Sequence, residues 1–137
     1  MNEAKCQLIK SWLLRAQHDL ASARVLSSGE QHILDTAVYH CQQAAEKAVK
    51  GYLVYRDEPF ERIHDIEVLV RLAGKHEAGF DLWVDAGMRL TPYATLFRYP
   101  GPVSEPTREQ FDRALDLAEG LYTYVLSLLP KQVWPAE

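Results

Sequence analysis

Three groups of polar residues carry side chains able to do chemistry. His40, Gln43, Glu46, Lys47 and Lys50 recur at helical spacing, Arg62, His64 and Asp65 form a second group, and Arg98-Tyr99 stands ahead of a proline-rich stretch. Lysine and arginine at such positions can meet phosphate oxygens, a histidine can donate a hydrogen bond or move a proton near neutral pH, and a tyrosine ring can stack on a base. Other chemistries lack their signatures: there is no zinc pattern, no Gly-rich phosphate loop and no nucleophile elbow. Cys6 and Cys41 have no metal-ligand spacing, so neither a metal nor another cofactor is expected.

The elements that must position these groups read as helices. Leu8, Trp12, Ala16, Leu20 and Ala23 recur at spacings of three and four, which predicts a helix over about 4–27, with Trp12 as a core anchor and Ser27-Ser28-Gly29 as the stop. Ile33, Ala37, Cys41, Ala44, Ala48 and Tyr52 continue the period to about Tyr55, with Ser28 or Asp35 as candidate caps. On this second helix Ala37, Cys41, Ala44, Ala45, Ala48 and Tyr52 share one side, while His40, Gln43, Lys47 and Lys50 line the other. Two long helices joined by a short turn lie antiparallel, and Gly51 marks a close approach. Pro59 ends this pair in a polar loop.

Ile66, Leu69, Val70 and Ala73 mark a short third helix that stops at Gly74. A fourth helical pattern has Leu82, Trp83, Ala86, Leu90, Tyr93, Ala94 and Phe97 as inward positions, with a kink or break at Pro92. Arg98 to Pro106 reads as an extended loop, after which Thr107 and Gln110 give a capping-box signature. Phe111, Ala114, Leu115, Ala118, Leu121, Tyr122, Val125 and Leu129 describe the last helix, closed by Pro130, and residues 131–137 read as a mobile tail in which Trp134 is the residue able to dock. The fold class is therefore all-α: an up-and-down bundle of four long helices plus a short extra helix, one domain over 1–130.

Composition agrees with one such domain. The chain has 137 residues, 47% of them hydrophobic, and no apolar run long enough to span a bilayer. A net charge of −4 argues against holding nucleic acid by sequence-independent attraction alone, so any phosphate contact must be local. No signal peptide is visible, and a reducing cytoplasm is the expected compartment.

Gln42-Gln43-Ala44-Ala45-Glu46-Lys47 followed by Lys50, the pair His64-Asp65 leading into Ile66 and Leu69, and Arg98-Tyr99-Pro100 together resemble the HEPN domain, the higher eukaryote and prokaryote nucleotide-binding domain. The resemblance spans about residues 8–129. It implies a helical bundle, commonly a homodimer, often paired with a minimal nucleotidyltransferase in a toxin–antitoxin module. Many members are metal-independent ribonucleases that use an Arg followed four to six residues later by His, with the His in acid–base work and the Arg on phosphate charge. Here Arg98 stands at the corresponding junction, yet Tyr99 to Arg113 contains no histidine. Arg71 and His76 have a permitted spacing but straddle Gly74 at the end of the third helix, and are read as coincidence.

The reading therefore leans away from an enzyme and towards binding of a nucleotide or RNA phosphate by Gln43, Glu46, Lys47, Lys50, His64, Asp65, Arg98 and Tyr99. A ribonuclease using Arg98 with His64 is the first alternative, and a purely structural interaction module the second. Each group also has an ordinary structural reading: Glu46 pairing with Lys50, His64-Asp65 capping the third helix, Arg98 bonding loop carbonyls or Glu46. The binding reading requires Gln43, Glu46, Lys47 and Lys50 to lie near Arg98 and His64.

Overall fold

A computed structural model describes residues 1–102 and 105–136. Five α-helices follow one another: α1 Glu3–Ser27, α2 Leu34–Tyr55, α3 Ile66–Gly74, α4 Val84–Leu90 and α5 Arg108–Ser127. The described residues contain no strand, so the all-α bundle expected from the periodicity is what forms. The fourth long helix is the exception, because its segment is divided into a 3-10 turn at Ala78–Trp83, the short α4, and a second 3-10 turn at Thr91–Ala94. Pro92 sits in the first turn of that last element, where its missing N–H costs no bond. Leu82, expected to face inward, is 86% exposed.

Helix α2 is the centre of the bundle, with α1 and α5 packed along it and α3 near its C-terminal half. Small residues make this possible: Ala37, Ala44, Ala45 and Ala48 are fully buried, as are Ala16 and Ala23 of α1, and all belong to one core. At Gly51 a Cβ would stand 3.3 Å from Trp12 Cβ and 3.5 Å from Leu13 Cδ2, so the glycine sets how closely α1 approaches. The buried stripe of α1 is Ile9, Leu13, Ala16, Leu20 and Ala23, one position round from the expected start at Leu8. Trp12 lies half-buried at the stripe's edge and meets Phe60 edge-on, with ring centroids 6.3 Å apart.

The helix ends follow from their side chains. Asn2 caps α1 by accepting from the backbone N–H of Lys5, and Asp65 caps α3 by accepting from that of Val68. Neither expected cap of α2 serves: the helix starts at Ile33 without a side-chain cap, Asp35 accepts from its neighbour Thr36, and the Ser28 hydroxyl donates back to Val25 O. The Thr107–Gln110 capping box forms in full. In the tail, read as mobile, Lys131–Val133 makes a 3-10 turn, and Trp134, the residue read as able to dock, does so: its indole N–H donates to Leu126 O and Leu129 O at the C-terminal end of the last helix. Of the Arg98–Pro106 loop, Val103 and Ser104 lie outside the described residues, as does Glu137.

Candidate functional site

The polar edge of α2 is largely interior. Gln42, Glu46 and Lys50, spaced four residues apart along α2, are 0%, 3% and 5% exposed. An ionised pair at that depth survives only when its remaining hydrogen-bonding capacity is met. Here it is met closely: Glu46 accepts from Lys50 Nζ at 2.9 Å, from His64 Nδ1 at 2.9 Å and from Gln42 Nε2 at 3.1 Å. Gln42 Nε2 also donates to His64 O, and Gln43 Nε2 donates to Gln42 Oε1. The ammonium of Lys50 lies 5.6 Å from the Trp12 ring centroid and 5.7 Å from that of Phe60, so two aromatic faces cover its outer side. In this network His64 is the member open to solvent, its side chain 68% exposed. Its Nδ1–H is committed to Glu46, which fixes the ring, and its Nε2 has no hydrogen-bond partner among the described residues.

A second network lies one face round on α2. Asp19 of α1 is 7% exposed and receives His40 Nδ1 on one oxygen and Lys47 Nζ on the other, both at 2.7 Å. Lys47 is thus already paired. Near the start of α2, the Arg98 guanidinium stacks on Tyr39 with its Cζ 3.8 Å from the ring centroid, and Tyr39 meets His40 edge-on at 5.6 Å. Arg98 also borders a recess with Asp35, Thr36 and Phe97, and among the described residues it has no carboxylate partner. The buried Cys41 thiol is pushed up to about 12, by burial first and Glu119 second, so it is no nucleophile.

A family model for the HEPN domain matches residues 9–128. The chain belongs to the HEPN domain family. The Methanocaldococcus jannaschii protein named "Putative toxin MJ1304" is 29% identical, the match covering 90% of this HEPN chain and 89% of that relative. Among solved structures, TT1696 from Thermus thermophilus superposes with a TM-score of 0.75 at 29% identity, covering 90% of this chain and 99% of its own. ST0689, an archaeal HEPN homologue, gives a TM-score of 0.68 at 27% identity, with 88% and 96% covered.

In this HEPN domain the expected groups are only partly brought together. Gln43, Glu46, Lys50 and His64 share one network, and Asp65 stands beside it as the cap of α3. Arg98 does not bond Glu46; it sits on Tyr39, about two helical turns away along the same stripe of α2. Tyr99 is 73% exposed. The Arg71–His76 coincidence is tied elsewhere, Arg71 to Glu67 and His76 to Glu58. Sequence reasoning missed Asp19. Its signal was present, since it lies three residues after Ala16 and four before Ala23, inside the α1 stripe. Tyr39, one turn before Gln43 on the polar stripe, was likewise passed over.

Among the described residues, no helix is long and apolar enough to cross a membrane. They also hold no group of His, Cys, Asp and Glu able to ligate a metal.

Proposed function

We propose that this HEPN domain is a toxin-like protein that binds a nucleotide or RNA phosphate beside α2, working as a cytoplasmic homodimer paired with a minimal nucleotidyltransferase in a toxin–antitoxin-type module. The observation that carries the binding reading is Arg98. An exposed guanidinium seated over a tyrosine ring, without a carboxylate partner among the described residues, keeps its donors for an outside anion. Tyr99 is exposed next to it and offers a face to a base. Lys50 contributes by holding Glu46, and Lys47 by holding Asp19, rather than as free phosphate ligands. The relative named as a putative toxin supports the toxin-like part of the reading. Calorimetry with ATP and with short RNA on wild type and Arg98→Ala tests the binding; absence of heat with every ligand would sink it. Co-expression with the product of a neighbouring nucleotidyltransferase gene tests the pairing, which fails if the two do not co-purify.

One observation favours ribonuclease activity as a second reading. His64 has its Nδ1–H held by a buried carboxylate and its other nitrogen without a partner among the described residues, the arrangement an acid–base histidine needs. Cellular RNA that stays intact with excess protein in EDTA, and equally with His64→Ala, would exclude it. Co-purification unaffected by nucleotide or by Arg98→Ala would instead favour a structural interaction module.

A further inference from the structure

Between α4 and α5 a recess of about 200 Å³ is walled by Arg89, Tyr93, Gln110 and Arg113, with Ala114 and Leu117 completing it. The polar wall is a wall of donors. Both guanidinium groups can only donate. Gln110 spends its carbonyl oxygen on the backbone N–H of Thr107 at 2.9 Å, which leaves its amide N–H groups. Tyr93 supplies an O–H; burial raises this phenol above the ordinary tyrosine range, and the charge of Arg113 works against that rise. Among the described residues no carboxylate lines the recess. Arg89 Nε donates to Asp85 at 2.7 Å and Arg113 Nη2 lies 3.6 Å from Glu109, but both are same-helix pairs whose acids are 74% and 85% exposed. Such pairs contribute little in water and leave most of the guanidinium donors unused.

We infer that this recess is a second binding site, distinct from Arg98, for a phosphate-class oxyanion clamped by Arg89 from α4 and Arg113 from α5. Two like charges facing one small cavity repel each other until an anion lies between them. Two of the lining groups are held in advance: the Tyr93 ring stacks on Phe97, with centroids 5.9 Å apart and planes 18° from parallel, and Gln110 is locked in the capping box. Because Phe97 also borders the recess beside Arg98, the phosphate can come from two sources. One is a free phosphate or phosphate ester, and the other is a backbone phosphate of a strand that reaches Arg98 as well.

The test is a titration of the full chain followed by ¹H–¹⁵N spectra, with inorganic phosphate, pyrophosphate and a short 5′-phosphorylated RNA in separate arms. Phosphate is expected to shift the side-chain N–H signals of Arg89, Arg113 and Gln110. Arg89→Gln and Arg113→Gln should each weaken about tenfold, one charge-assisted contact's worth, the phosphate affinity read from these three signals, and should not change the affinity read from the Arg98 side-chain N–H signal. That difference separates this site from the one proposed above. RNA that binds more tightly than phosphate and is weakened by both the recess variants and Arg98→Ala identifies a strand as the source; equal affinity for phosphate and RNA identifies a small molecule. Should a Gln variant lose its helical circular dichroism, Arg113→Lys is read in its place, and must also weaken binding because the planar fork is gone. Phosphate that shifts none of the three side chains, or binds the folded variants as it binds wild type, overturns the inference.

Discussion

Glu46→Ala is the substitution that should unfold this bundle most readily for its size. It removes an acceptor that serves three donors, Lys50 Nζ, His64 Nδ1 and Gln42 Nε2, each within 3.1 Å. The Lys50 side chain is 7% exposed, so its ammonium is left with two aromatic faces and no counter-charge. Stranding a buried charge in this way costs about 3–5 kcal/mol, a large share of the ~5–15 kcal/mol that holds an ordinary domain folded. Urea unfolding followed by circular dichroism, on Glu46→Ala, Lys50→Met and the double variant Glu46→Ala/Lys50→Met, measures it. The double variant should recover much of the loss, giving a coupling of ~1–3 kcal/mol. Arg89–Asp85 is the internal control, an ion pair at the same i,i+4 spacing with side chains 54% and 74% exposed. Breaking it should cost under about 0.5 kcal/mol. A Glu46→Ala loss of the same small size as the control, or strictly additive single and double variants, would refute the reasoning.

Gly87→Ala should destabilise despite alanine's better helix propensity. A Cβ there would lie 2.9 Å from Glu67 N and 3.0 Å from Glu67 Cα, backbone atoms at the start of α3 that cannot swing aside. The overlap should outweigh the propensity gain and cost a net ~1–3 kcal/mol. At Gly101 nothing lies within 4 Å of such a Cβ, so Gly101→Ala should leave the melting midpoint unchanged; equal midpoints for both variants would contradict the packing argument. For the thiols, Ellman's reagent near neutral pH should titrate the half-buried Cys6 in the native protein, and Cys41 only after unfolding. The sign follows from burial, which raises the Cys41 pKa to about 12 and leaves almost no thiolate below it. Two thiols reacting at one rate in the native state would show that the core is open at Cys41.

Much of the bundle was legible because its signals are local. The 3.6-residue period of α2 and α5, the Thr107–Gln110 box and the stop at Gly74 each depend on residues within a few positions of one another. The fourth helix misled because its apolar spacing persists from Leu82 to Phe97 while its backbone does not. α4 is only Val84–Leu90, and Pro92 sits in the first turn of the 3-10 element that follows it. In the tail the residue able to dock could be named, but nothing local shows that Lys131–Val133 will turn and set Trp134 on Leu126 O. In the site, helical spacing alone could pair Glu46 with Lys50, but could not bury them. Burial comes from Trp12 and Phe60, a helix and a loop away in sequence, which close over Lys50. The link between Asp19 and Lys47 is equally non-local, joining two helices across 28 positions.

That last contact also governs how α1 can slide. Alanine surfaces are smooth, and the alanines that α1 and α2 bring to the shared core by themselves distinguish weakly between neighbouring registers. Asp19 removes the ambiguity, because its two oxygens are engaged by residues two turns apart on α2, one on each side of the carboxylate. A slip of α1 by one turn, about 5.4 Å, would carry the acid beyond reach of one partner and leave a buried oxygen without a donor. Rotation of α1 about its own axis would break both bonds at once. A single buried acid thus works as an index pin, choosing one alignment from a set that the apolar surface leaves nearly equal in energy.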